Sequence, residues 1–363
     1  MQEEPARQTG PRKRPWGQSR ERMVASGVDA SAVADLLKRV DGDGEDWVNV
    51  AEEIGDRQDA YAQAELDAGH RASARYFFLS AASFYRVASY EIHDITEEKV
   101  RLNQKTTADF AKAAALFDPP LEEVNIPYHG FDMHGWIYLP KDAPEPCPIV
   151  LMIGGATGFK EEFHSHAMLM VERGLAVISI DAPGQGITRY LNGGALEVEC
   201  EKGIGKIVDF IKQDPRFSKI GIYGGSAGGY YVTRTAALDH RIDACAVYAG
   251  GYNLIDMITG DERYRYYVHH FAVLLDTEDE AVKGLMSRMT MEGIAEKIEC
   301  PLIMVHGDRD PLFGIEGQRR LLAEARSEDK RLVEYPSTFH GAPEHASKSF
   351  RLLADWMADH LFA

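Results

Sequence analysis

Ile220-Gly221-Ile222-Tyr223-Gly224-Gly225-Ser226-Ala227-Gly228-Gly229-Tyr230 decides how the rest of this chain is read. An apolar run ends in Gly-Gly-Ser-Ala-Gly, and Tyr231, Val232 and the Ala-rich residues 233–238 continue with helical character. That is a strand, a sharp turn and a helix, with Ser226 at the apex. Glycine is expected at 224 and 228 because a Cβ two residues either side of the serine would clash in so tight a reversal. Such a turn holds the serine in a strained conformation that lifts its Oγ above the sheet edge. The helix behind it aims unpaired N–H groups and a positive dipole end at any oxyanion formed beside Ser226. In a chain with 33 glycines, a bare G-x-S-x-G is equally an ordinary turn or a close helix contact. The strand before it and the helix after it make it a nucleophile elbow.

A serine hydroxyl needs a base, and the base needs an orienting carboxylate. Downstream, the apolar run Leu302-Ile303-Met304-Val305 ends in His306-Gly307-Asp308-Arg309-Asp310. The next strand ends in Tyr335-Pro336, followed by Ser337-Thr338-Phe339-His340. Ser, Asp and His at successive strand ends is the order of the α/β-hydrolase fold. Asp310 is the chosen acid; Asp308 is the rival, read as bonding backbone amides in the turn. His340 is the chosen base over His345, which is expected to begin the last helix. For the oxyanion, Ala227 supplies one N–H, and the loop Gly154-Gly155-Ala156-Thr157-Gly158 supplies the second, from Ala156. Asp181-Ala182-Pro183-Gly184-Gln185-Gly186 lacks the Lys and Ser/Thr of a phosphate-binding loop. It is read as a structural turn that does not open a helix directly.

With 363 residues and 45% hydrophobic content the chain is long enough for one large α/β domain and a smaller appendage. The alternation of strands and helices after residue 121, following an opening hairpin over 124–139, gives a mostly parallel, doubly wound sheet. Residues 29–120 read as a helical domain, with stripes such as Trp47, Val50, Ile54 and Phe77, Ala81, Phe84 at helical spacing. Residues 1–28 are taken as a flexible arm whose Arg12-Lys13-Arg14 is solvated. An insertion over about 251–291 carries Tyr252, Tyr264, Tyr266, Tyr267, His269, His270 and Phe271. Aromatic stripes are commonly core. Tyr85, Tyr230, Tyr252, Tyr267 and His270 are nevertheless the candidates for lining a substrate pocket, and suit a ring-bearing ligand.

A net charge of −17 argues against nucleic acid or an anionic membrane as partner. No apolar run approaches the roughly 18 residues of a membrane span. A cytoplasmic protein is the simple reading. Cys147, Cys200, Cys245 and Cys300 are scattered, which fits buried free thiols and excludes a clustered metal site. Neither metal nor cofactor is called for.

Taken together these motifs resemble the α/β-hydrolase superfamily. More narrowly, the chain looks like the branch of 2,6-dihydroxypseudooxynicotine hydrolase, the FrsA-like esterases and the fungal polyketide-shortening hydrolases. The markers are the Trp47 helix, the aromatic helix from Arg75 to Tyr90, and Gly154-Gly155 with Lys160-Glu161-Glu162. The 181–186 turn, the elbow, the His306–Asp310 motif and Ala354-Asp355-Trp356 complete them. The resemblance implies Ser226, Asp310 and His340 as the triad, a helical cap over the active site, and a homodimer. It further implies hydrolysis of a carbon–carbon bond beside a ketone in an aromatic or polyketide-like molecule. Ester or lactone hydrolysis and acyl transfer are the alternatives with the same triad. A hydrolase-fold binding protein is the rival from another class; it would lack a triad member, and none is missing. The segment His340-Gly341-Ala342-Pro343-Glu344-His345 departs from the nicotine-pathway pattern, which leaves the substrate of this chain open and the triad untouched.

Overall fold

The computed structural model describes residues 10–90, 92–259 and 266–363. Tyr264, counted above in the aromatic insertion, lies outside them, as does the start of the arm. Two compact units emerge: residues 1–92 with 96–117, and residues 93–95 with 118–363.

The first unit is helical: α1 (Arg20–Ala25), α2 (Ala30–Leu37), α3 (Trp47–Asp67), α4 (Arg71–Ser89) and α5 (Glu97–Ala114). Side chains cap the starts, with Ser19, Asp29, Asp46 and Thr96 each accepting from a backbone N–H three residues on. The expected stripes form its core: Trp47, Ile54, Ala81, Phe84 and Leu102 are fully buried. The Trp47 indole, which must find an acceptor once buried, donates to the Val87 carbonyl at 3.0 Å. The arm reading needs correction over residues 10–28. Met23 and Val28 are buried in the helical core, and Arg12 bonds Asp46 (3.0 Å) and Glu98 (2.8 Å). Two buried side chains, Met23 and Val28, and one forked cation dock a stretch whose composition looks disordered.

Among the described residues the second unit carries eight strands: β1 (Glu122–Tyr128), β2 (Phe131–Tyr138), β3 (Cys147–Ile153), β4 (Ala176–Ile180), β5 (Phe217–Gly225), β6 (Ala244–Tyr248), β7 (Leu302–Gly307) and β8 (Lys330–Tyr335). Their order is β1-β2-β4-β3-β5-β6-β7-β8, antiparallel at β1/β2 and β2/β4 and parallel elsewhere. Every residue of β3 and β4 is buried, as expected of strands covered on both faces. The helices are α6 (His164–Val171), α7 (Gly186–Tyr190), α8 (Glu201–Gln213), α9 (Ala227–Leu238), α10 (Asp256–Thr259), α11 (Tyr266–Leu275), α12 (Asp279–Met286), α13 (Ile315–Glu324) and α14 (Ala346–Phe362). Strand periodicity assigns two of them to opposite faces. A Cβ at Gly221 would meet Met357 and Leu361 of α14, whereas one at Gly224, of opposite parity, would meet Val232 of α9. Among the described residues no helix is long and apolar enough to cross a membrane.

One buried group sets an acid limit on this unit. His166 is 7% exposed, packed edge-on against Phe350, with neither ring nitrogen hydrogen-bonded. Burial pushes its pKa down to about 4. Between its ordinary value near 6.5 and that limit, the unfolded chain binds a proton that the folded chain refuses. Stability present above pH 6.5 is therefore lost as pH falls towards 4, by up to roughly 3 kcal/mol. Urea unfolding across that window is expected to fall less steeply with acid in His166→Leu than in the parent protein. Equal slopes would contradict this account of His166.

Candidate active site

The elbow is built as its residues require. Ser226 has φ 57 and ψ −128, a left-handed conformation that a non-glycine residue adopts only when its surroundings impose it. Those surroundings are close. A Cβ at Gly224 would run into the Gly228 carbonyl, and one at Gly228 into the carbonyls of Ile153 and Gly154. The Ser226 N–H is tied to the Tyr248 carbonyl at 2.9 Å, anchoring the apex to β6. Ala227 is the first residue of α9, so its N–H is one of the orphans at a helix start.

Ser226 Oγ lies 3.0 Å from His340 Nε2, and His340 Nδ1 lies 2.7 Å from Asp310 Oδ2. With Asp310 ionised, His340 carries its proton on Nδ1, and its bare Nε2 accepts from the serine hydroxyl. Asp310 is buried, and burial opposes its charge. His340, His306 and the Leu312 N–H outweigh that and hold the carboxyl below its ordinary range. Its other oxygen accepts from the Leu312 and Phe313 N–H groups at 2.9 and 3.1 Å. Asp308 instead accepts from the Ser337 N–H at 2.6 Å, in the turn where it was expected. His345 precedes α14 and stacks on Tyr335, with ring centroids 4.2 Å apart. The sequence reading gave His306 no role. Its Nε2–H donates to the Phe313 carbonyl at 2.8 Å and stands 3.3 Å from Asp310 Oδ2, so it braces the turn that presents Asp310 to His340. Burial first, despite Asp310, lowers the His306 pKa and keeps that ring neutral.

The loop after β3 presses on the serine: a Cβ at Gly155 would stand 3.1 Å from Ser226 Cβ and 3.6 Å from its Oγ. Gln185 clamps this loop. Its amide nitrogen donates to the Gly154 carbonyl at 2.5 Å and the Gly155 carbonyl at 3.2 Å, while its oxygen accepts from the Ala182 N–H at 3.1 Å. The 181–186 turn departs from expectation, because α7 starts at once at Gly186. It can do so because Asp181 takes the Ile187 N–H, an orphan of the helix start, at 3.1 Å. Asp181 also accepts from the Lys160 N–H (2.8 Å) and Nζ (2.9 Å), and Lys160 Nζ reaches Glu161 at 2.7 Å. Burial works against the Lys160 charge, yet the two carboxylates raise its pKa. Burial also pushes Asp181 up while Lys160 pulls it down. Three N–H donors aimed at Asp181 serve its ionised form.

The pocket candidates divide. Tyr230 is fully buried and points to Arg234 of its own helix, which pairs with Glu201 of α8 at 2.6 Å. Four residues past the serine, its side chain enters the layer between α8 and α9, not the site. Tyr252 donates to Glu324 of α13 at 2.6 Å, under the Arg320 guanidinium. Both are corrections to the pocket reading. Tyr85 belongs to the core of the helical unit and donates to Asp56 at 2.8 Å. His270 reaches the serine's surroundings: its Nε2 donates to the Ala156 carbonyl at 2.9 Å. Tyr267, also buried on α11, lies with its ring 6.2 Å from that of His270. Among the described residues no group of three or more His, Cys, Asp or Glu side chains is placed to hold a metal ion.

A mostly parallel eight-stranded sheet with this strand–turn–helix at its centre defines an α/β-hydrolase. The chain belongs to the FrsA-like esterase family: the family model described as "Esterase FrsA-like" matches residues 21–362. It is 26% identical to the 2,6-dihydropseudooxynicotine hydrolase of Paenarthrobacter nicotinovorans over 355 residues, 96% of this chain and 92% of that protein. The hydrolyase poxO of Penicillium oxalicum is 30% identical over 282 residues, 72% of this chain, which spans 65% of that relative's length. Among solved structures, the 2,6-dihydroxy-pseudo-oxynicotine hydrolase superposes with a TM-score of 0.84 at 23% identity, covering 94% of this chain and 96% of that one. AbyA5 follows a similar course, with a TM-score of 0.71 at 19% identity over 90% and 93%. These two establish the fold.

Proposed function

We propose that the protein is a cofactor-free serine hydrolase that cleaves a carbon–carbon bond next to a ketone in an aromatic or polyketide-like small molecule. The observation that carries the serine chemistry is the relay Ser226 Oγ, His340, Asp310 at 3.0 and 2.7 Å. His340 takes the hydroxyl proton as Ser226 attacks the carbonyl, and Asp310 stabilises the imidazolium. The N–H groups of Ala227 and Ala156 receive the oxyanion. Collapse of the tetrahedral intermediate breaks the carbon–carbon bond. The electron pair leaves on carbon, delocalised as an enolate or a phenolate tautomer, and takes up the proton that His340 removed from Ser226, which returns His340 to its neutral form. Water, deprotonated by His340, then releases the acid from Ser226. The carbon–carbon reading rests on the branch that the chain resembles, and the relative named 2,6-dihydropseudooxynicotine hydrolase supports it by matching along nearly the whole length.

Ester hydrolysis is the second reading, favoured by the description of the family itself. The same steps serve it, with an alcohol taking its proton from His340 as it leaves. Turnover of an aromatic 1,3-diketone and of p-nitrophenyl acetate, each with Ser226→Ala as control, separates the two. The first reading expects the diketone to have the higher kcat/KM. Ester turnover alone would overturn it in favour of the second.

A further inference from the structure

We infer that His270 is a positioning residue for the reaction, holding the oxyanion-binding loop through the Ala156 carbonyl and itself oriented by His93. The inference rests on the proposed role of the Ala156 N–H. His270 sits on α11, 114 positions along the chain from Ala156, and is 1% exposed. A carbonyl only accepts, so the His270 proton at that contact is on Nε2. His270 Nδ1 lies 3.0 Å from His93 Nδ1. Two ring nitrogens at that distance bond only when one of them carries hydrogen. Whichever of the two supplies that hydrogen, the bond ties the His270 ring to His93 while its Nε2–H faces the Ala156 carbonyl. His93 is steadied in turn by stacking on Tyr266, with ring centroids 5.5 Å apart.

The consequence for the site follows from peptide geometry. In a trans peptide the C=O and N–H point in opposite directions. The Gly155 carbonyl, held by Gln185 at 3.2 Å and by the Gly158 N–H at 3.0 Å, fixes the direction of the Ala156 N–H in the same peptide unit. His270 fixes the next unit through the Ala156 carbonyl. With both peptides pinned, the Ala156 N–H is held in one direction for the oxyanion role proposed above. Preorganised donors of this kind act on the transition state more than on the bound substrate, so the loss falls on kcat.

The test uses the full chain with p-nitrophenyl acetate as substrate and phenylboronic acid as a probe that becomes a tetrahedral anion on a nucleophilic serine. His270→Leu is expected to lower kcat by roughly 10- to 100-fold with KM changed less than about threefold, and to weaken the boronic acid by a similar factor. His270→Gln keeps an N–H for the Ala156 carbonyl and is expected to recover most of both. His93→Phe, which leaves the Ala156 contact intact but unsupported, is expected to lose roughly 3- to 10-fold in kcat. A merely structural role would lower the melting temperature in the Leu and Gln variants alike, without the recovery. That outcome, or an unchanged kcat in His270→Leu, would overturn the inference. Ser226→Ala run alongside separates the two claims: inactivity there with full activity in His270→Leu sinks only this inference, whereas turnover by Ser226→Ala sinks the reading beneath it.

Discussion

Ser226→Ala is expected to lower kcat by about 10⁵-fold on any substrate the protein turns over, with the melting temperature little changed. The substitution removes one oxygen from a half-buried position and leaves the elbow's backbone as strained as before, because alanine is no easier than serine at φ 57. His340→Ala is expected to cost nearly as much, since a serine without its base is not a competent nucleophile. The two together should cost no more than either alone, because the groups act as one unit. Asp310→Ala is expected to lose about 10⁴-fold, while Asp308→Asn stays within about threefold of the parent. The contrast is informative because both aspartates sit in one short turn, and only Asp310 meets the imidazole. Equal losses at the two positions would show that the turn is being disturbed and the acid is not being removed.

The largest stability effect is expected at Lys160→Met. Lys160 Nζ is wholly enclosed between Asp181 at 2.9 Å and Glu161 at 2.7 Å. Removing the cation leaves two carboxylates facing each other in a dry interior, at a cost of about 3–5 kcal/mol. For a unit of this size that corresponds to a melting temperature lower by roughly 10 °C. Calorimetry on the single variant and on Lys160→Met combined with Glu161→Gln and Asp181→Asn tests the cause. The combination is expected to recover part of the loss, because the uncompensated charges are gone. A combined variant less stable than Lys160→Met would show that packing of the lysine stem, not charge balance, dominates.

The elbow, the meeting of Ser226, Asp310 and His340 at successive strand ends and the sheet were legible because each is written in local pattern. Gly224 and Gly228 flank the serine as the tight reversal demands, and apolar runs such as 149–153 and 176–180 announce strands covered on both faces. Asp310 was separable from Asp308 for the same reason, as a matter of position within one turn. What escaped depends on contacts between distant residues. Gln185 reaches back 31 positions to Gly154, and His270 reaches 114 to Ala156; no periodicity records either. The 181–186 turn hid a helix start because its cap is a buried aspartate paired with a lysine from another loop. Tyr230 and Tyr252 were drawn into the pocket by composition alone, and an aromatic ring near a nucleophile in sequence need not point towards it. Residues 10–28 look like a solvated tail until Arg12 finds Asp46 and Met23 finds the helical core.

The central claim is that Ser226 is a covalent nucleophile activated by His340. Intact-mass analysis after incubation with a fluorophosphonate tests it most directly, with Ser226→Ala and His340→Ala treated in parallel. The account predicts one adduct per chain, located by peptide mapping at Ser226. It further predicts no adduct in Ser226→Ala, and labelling slowed by at least about 100-fold in His340→Ala. An adduct on another residue, or labelling of Ser226 at the same rate without His340, would contradict it.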